Sequence, residues 1–170
     1  MLFRRLYALV FIELATGRVY LAGVTANPNG AWATQQARQL AWSFSERSIP
    51  PRFLIRDRDS KFTRSFDDIF RSEGLEIVRT PVRAPKANAV AERFVRTARA
   101  ECLDWLLILG RRHLEHVLRR YLTHYNAERP HRALALRSPA GLDRRHQTSL
   151  NTIERHDLLG GLIHEYRAAA

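Results

Sequence analysis

Short runs of branched and aromatic residues alternate with longer helical stripes, and this alternation limits the possible folds more than any other feature of the chain. Leu6 to Leu14 and Arg18 to Thr25 are both strand-like, and Ala15-Thr16-Gly17 between them supplies a tight turn, so the pair reads as a β-hairpin. Asn27-Pro28-Asn29-Gly30 is a loop, after which Ala33, Ala37, Leu40, Ala41 and Phe44 recur at helical spacing. Ile49-Pro50-Pro51 ends that helix and leads into a short apolar strand, Phe53-Leu54-Ile55, which runs directly into Asp57. Ser65 to Glu73 reads as a short helix stopped by Gly74, and Leu75 to Thr80 as another strand. Pro81 to Pro85 is extended and basic. From about Asn88 the pattern is helical, with Ala91, Phe94, Val95, Ala98, Cys102 and Trp105 on one apolar stripe. A second strong helix, roughly Arg112 to Asn126, carries Leu114, Val117, Leu118, Tyr121, Leu122 and Tyr125. The order β-β-α-β-α-β-α-α predicts an α/β fold, a mixed sheet with helices packed on it. Gly160-Gly161, inside the apolar stretch Leu158 to Ile163, predicts a small hairpin in the tail. Trp32, Trp42 and Trp105 all fall in helical segments and are expected to pack.

The chain has 170 residues, enough for one domain with a real core and a short tail. Its balance of 28 Lys+Arg against 17 Asp+Glu gives +11, and nearly all the positive charge is Arg, with Lys only at Lys61 and Lys86. Arg forms bidentate phosphate contacts, so a polyanion is the natural partner. Cys102 is the single cysteine, which excludes an intramolecular disulfide framework and any multi-Cys zinc site. The apolar run Leu6 to Ile12 after two arginines mimics a signal peptide, but it is short and Glu13 interrupts it. No segment approaches the roughly 20 apolar residues of a membrane span, so the expectation is a soluble, cytoplasmic protein.

Two acids stand out. Asp57 follows a buried-looking strand, and Glu92 lies in the first turns of a long helix. Phosphoryl transfer on DNA is commonly run by two divalent ions about 4 Å apart between carboxylates, and Mg²⁺ takes few protein acids beside water and phosphate. Spacing alone leaves the plain alternatives open: Glu92 and Arg96 as a surface ion pair, Asp57 and Asp59 as turn residues. The neighbours favour the site. Glu92, Arg96 and Arg99 share one helix face opposite the apolar stripe, and Arg79, Arg83 and Lys86 extend a basic track before it.

Three ordered motifs carry a resemblance. Asp57-Arg58-Asp59-Ser60-Lys61-Phe62-Thr63 resembles Asp-x-Gly-x-x-Tyr/Phe-Thr, with Asp59 in place of the Gly. Pro85-Lys86-Ala87-Asn88-Ala89-Val90-Ala91-Glu92-Arg93-Phe94 resembles Pro-x-x-Asn-x-x-x-Glu-x-Phe. Tyr125-Asn126-Ala127-Glu128-Arg129-Pro130-His131-Arg132-Ala133-Leu134 matches Tyr-Asn-x-x-Arg-Pro-His-x-x-Leu, with Ser138-Pro139 following. Together, over roughly residues 6 to 140, they resemble the integrase core of DDE transposases, the RNase H-like domain shared by insertion-sequence transposases and retroviral integrases.

The resemblance implies DNA strand cleavage and joining with Mg²⁺ or Mn²⁺. Asp57 and Glu92 would be metal ligands, Arg99 would contact DNA, and an oligomer would assemble on the DNA. It implies a core over 1–140 and a C-terminal tail over 141–170, with His131 in a structural loop. His113 and His116 are expected on a polar helix face rather than on a metal. The family's first catalytic Asp precedes the hairpin, and here nothing acidic precedes Leu6. The expectation is therefore a core lacking its first, central strand, with two bare edges and no strand transfer by this chain alone. Two competing readings remain: a non-enzymatic module binding nucleic acid without sequence preference, and a basic structural or ribosome-associated protein.

Overall fold

The computed structural model describes residues 4–45, 50–81, 88–141 and 153–168. Its elements are β1 (Tyr7–Ile12), β2 (Val19–Thr25), α1 (Gly30–Ser45), β3 (Phe53–Arg56), α2 (Arg64–Ser72), β4 (Glu76–Arg79), α3 (Ala89–Glu101), α4 (Arg111–Ala127), β5 (Ile153–Leu158) and β6 (Ile163–Ala168). This is the expected order with the tail hairpin added. The chain divides into two compact units, one of Met1–Val10 with Ala22–Phe94 and one of Phe11–Leu21 with Val95–Ala170.

Among the described residues there are three two-stranded sheets, β1 with β2, β3 with β4 in parallel, and β5 with β6 antiparallel. Four-residue strands such as β3 and β4 offer few ladder bonds, so each sheet depends on the helices beside it.

In the first unit, α1 starts where Asn29 accepts the Trp32 amide at 2.8 Å, an N-cap that satisfies an otherwise orphaned donor. All five expected stripe residues of α1 are buried. α2 starts at the N-cap Thr63 and stops at Gly74, which takes φ +81 and lets the Leu75 amide reach back to the Phe70 carbonyl. Helix α2 turns Phe66 and Phe70 inward with rings 5.2 Å apart, and Phe44 of α1 meets Phe70 at 6.3 Å. Burying each ring contributes about 1.5–3 kcal/mol. Gly30 is required here: a Cβ would stand 2.6 Å from Thr63 Cγ2, so only glycine lets the two helix starts meet.

The β3–β4 pair reverses the expected polarity. Phe53, Ile55 and Val78 are exposed, whereas Arg56 is buried. The register pairs Ile55 with Val78 and Arg56 with Arg79, so the pleat puts Phe53, Ile55 and Val78 on one face and both arginines, with Leu54 and Ile77, on the other. An acid on α2, described below, explains the choice.

In the second unit, all six expected residues of α4 are buried. The α3 stripe holds only in part: Phe94, Ala98 and Cys102 are buried, but Ala91, Val95 and Trp105 are exposed. Trp105 falls in a 3₁₀ turn, Leu103–Trp105, beyond the end of α3, and its indole N–H donates to the Ala100 carbonyl at 2.7 Å. The phase of a 3.6-residue repeat does not carry into that turn. Trp42 is also exposed, so two of the three tryptophans do not pack as expected. The tail hairpin forms as expected, turning at Gly160 and Gly161 with φ +70 and +85. No helix among the described residues is long and apolar enough to cross a membrane.

Candidate active site and nucleic-acid face

Asp57 is the first residue past β3, and the chain bends there through two successive Asx turns. The Asp59 amide donates to Asp57 Oδ1 at 3.0 Å, and the Lys61 amide donates to Asp59 Oδ1 at 2.9 Å. Lys61 also pairs with Asp59 at 2.7 Å; its side-chain hydrogen bond, with the backbone bond beside it, holds the Asp59 carboxyl below the usual carboxylate range. Asp59, which replaces the glycine of the resembled motif, is thus tied up within the turn. Arg58 donates to the Thr80 carbonyl at 3.1 Å and pins the same turn to the end of β4. Asp57 itself is half-exposed.

Under this turn lies a buried charge cluster that the spacing of the motifs does not reveal. Asp67, fully buried in the first turn of α2, accepts Arg56 Nε at 2.8 Å and Nη2 at 2.6 Å. Arg79 Nη2 reaches the same carboxylate at 3.0 Å. Burial pushes the Asp67 carboxyl up, but the bonds from Arg56 and Arg79 outweigh it and leave the group below the usual range. The sequence did hold a signal. Asp67 falls in phase with Phe66 and Phe70 on α2, and Arg56 falls in phase with Leu54 on β3.

Glu92 lies in the first turn of α3 and is exposed, as are Arg96 and Arg99 one and two turns on. Phe94, Ala98 and Cys102 form the opposite, buried face, which leaves the acid and the arginines facing outward. Arg99 also pairs with Asp104 at 3.3 Å. Arg83 and Lys86 lie outside the described residues. Arg79 keeps half its side chain exposed while bound to Asp67. Asp57 and Glu92 belong to the same compact unit. Among the described residues no three of His, Cys, Asp and Glu converge as a metal-binding set. A pair of accessible carboxylates still suits Mg²⁺, which completes its shell with water and phosphate oxygens. His113 is otherwise engaged: its Nδ1 accepts the Leu109 amide at 3.1 Å just ahead of α4.

The third motif is a helix cap. A helix leaves its last four carbonyls without intrahelical partners, and at the end of α4 three of them are met, at His124, Asn126 and Ala127. His124 O accepts the Glu128 and Arg129 amides, and Asn126 O accepts the Ala140 amide at 2.7 Å. Ala127 O accepts Ser138 Oγ at 2.7 Å. The Tyr125 backbone faces the His131 ring, whose plane stands edge-on to the Tyr125 ring at 4.7 Å. His131 Nε2 is buried with no hydrogen-bond partner among the described residues. The Asn126 side chain meanwhile pairs with both backbone groups of Val19, at 2.9 and 2.8 Å, as a neighbouring strand would. Arg129 reaches back to Glu101 at the end of α3, where the Tyr121 hydroxyl also donates at 2.9 Å. Burial raises the Cys102 thiol to about 11, so it stays protonated and inert in this core.

Residues 73–139 match the family model described as the integrase core domain. That stretch is similar to an integrase core. It runs from the end of α2 through β4, α3 and α4 to Pro139 and includes Glu92, the α3 arginines and the α4 cap. Asp57 lies ahead of the matched stretch, so its place in an integrase core rests on its own motif and turn. No curated protein matches the chain.

Proposed function

We propose that this chain is the catalytic-core portion of a DDE-type DNA strand-transfer protein, with an RNase H-like sheet and with Asp57 and Glu92 as its metal-binding carboxylates. The observation that carries the reading is Glu92, exposed in the first turn of the α3 segment of the matched integrase core, with Arg96 and Arg99 following on the same face. Bound Mg²⁺ or Mn²⁺ would supply the Lewis acid at the scissile phosphate. Arg96 and Arg99, with Arg79, Arg83 and Lys86, supply the phosphate contacts that set the register of DNA on the helix. Residues 1–140 form the core and 141–170 a tail whose hairpin packs on α4 through Glu165 and His124 at 3.2 Å.

The second reading, a nucleic-acid-binding module without chemistry, draws on the absence of a three-ligand cluster among the described residues. Mn²⁺ titration and binding to arbitrary-sequence duplex DNA separate the two when measured on the chain and on Asp57→Asn and Glu92→Gln. The proposed reading expects both variants to lose Mn²⁺ binding and to keep DNA binding within a few-fold, while Arg96→Ala with Arg99→Ala weakens DNA binding and flattens its salt dependence. Mn²⁺ binding that neither acid variant changes would leave only the non-enzymatic module.

A further inference from the structure

We infer that Arg56 is a positioning residue for Asp57, held in place for that task by Asp67; the inference rests on the proposed role of Asp57 as a metal ligand. The Arg56 guanidinium is spent on two targets. Nε and Nη2 form the buried bidentate pair with Asp67, and Nη1 donates to the Asp57 main-chain carbonyl at 2.8 Å. Asp57 is therefore restrained twice, at its carbonyl by Arg56 and at its carboxylate by the Asp59 amide. A guanidinium is the one side chain with a rigid fork for a carboxylate and a further N–H to spare. Arg79, the register partner of Arg56 on β4, and Arg71, 3.8 Å away on α2, close around the same carboxylate.

Stability alone does not explain this arrangement, because an apolar pair of similar volume at a buried site is commonly as stable as an ion pair. The apolar pair lacks the third donor, and that is the difference the proposal turns on. Partners that orient a metal ligand without touching the metal typically contribute 10- to 100-fold to metal affinity.

The test is the double variant Arg56→Met with Asp67→Leu, which replaces the buried pair and deprives only the half-exposed Arg71 and Arg79 of that partner, compared with the unaltered chain, Arg56→Lys and Asp57→Asn. Three quantities are read: the thermal midpoint without metal, the Mn²⁺ affinity, and the exchange rates of the Asp59 and Lys61 amides. The expected result is a double variant that melts cooperatively near the unaltered chain, binds Mn²⁺ about 10- to 100-fold more weakly, and exchanges the Asp59 amide faster. Arg56→Lys, which cannot serve both targets at once, follows it in both readings, and these readings decide the matter if the double variant does not fold. Unaltered Mn²⁺ affinity and Asp59 exchange in the folded variants, with binding lost in Asp57→Asn, would overturn the positioning role and leave the metal reading standing. Unaltered Mn²⁺ binding in Asp57→Asn would overturn both.

Discussion

The turn after β3 and the end of α4 solve the same problem, fixing irregular backbone beside regular structure, in opposite ways. At the Asp57 turn the support is ionic and buried: one carboxylate gathers arginines from β3 and β4, and Phe53, Ile55 and Val78 of the same strands are left outside. At the end of α4 the support is mostly neutral. Amides and a hydroxyl meet the last carbonyls of the helix, the Asn126 carboxamide meets the Val19 backbone, and the apolar stripe stays inside, with the Arg129–Glu101 pair beside them. The difference is one of risk. A charged cluster fails as a unit when one member goes, because the others are left buried and unpaired. A set of separate neutral hydrogen bonds fails one bond at a time.

Asp67→Ala gives the largest expected effect. It strands Arg56 in a buried site, and breaking such a pair costs about 3–5 kcal/mol. Chemical denaturation measures the loss. Hydrogen exchange should place it in β3, α2 and β4, with the end of α4 exchanging as before. A loss under about 1 kcal/mol would show that water or a neighbour rescues the arginine, and the contrast between the two regions would disappear.

Asn126→Ala comes next. It removes both partners of the Val19 backbone, which is 2% exposed, and leaving such groups unmet costs about 1–3 kcal/mol. The faster exchange should appear at Val19 and in the last turn of α4. Exchange spreading evenly through α4 would mean that the cap acts as a unit after all, contrary to the comparison drawn above.

The same contrast explains what the sequence made legible. The helices of both units, their stripes and their stops follow local rules, so α1 and α4 were readable almost residue by residue, down to Gly74 at the end of α2. The motif around Glu92 and the capping motif were readable as patterns, and residues 73–139 carry them in a matched integrase core. The polarity of β3 was not readable. Phe53-Leu54-Ile55 looks like a strand to be buried, and only Asp67, contributed by a helix that begins eight residues after β3, decides that Arg56 faces inward instead. Side-chain pairing across elements of that kind leaves only a faint trace in a linear pattern, a charge standing in phase with apolar neighbours. Trp105 failed for a related reason, since its place depends on the 3₁₀ turn that ends the helical phase.

The smallest expected effect is the most selective test of the neutral cap. Burial, and then the nearby Arg129 charge, hold the His131 ring below its ordinary value near 6.5, so the folded chain keeps the ring neutral. An unfolded chain protonates it at that ordinary value. Above about pH 6.5 both states are neutral and the contribution of the ring to stability is complete. As the pH falls from there toward the folded value, the unfolded state binds a proton that the folded state refuses, and stability is lost. His131→Asn keeps a polar side chain beside the Tyr125 backbone but cannot titrate. Its stability should therefore decline less between about pH 6.5 and 5 than that of the unaltered chain, with similar values at pH 7.5. Parallel slopes in the two proteins would mean that protonation finds a partner at the buried Nε2, and the cap would then tolerate the charge that its burial argues against.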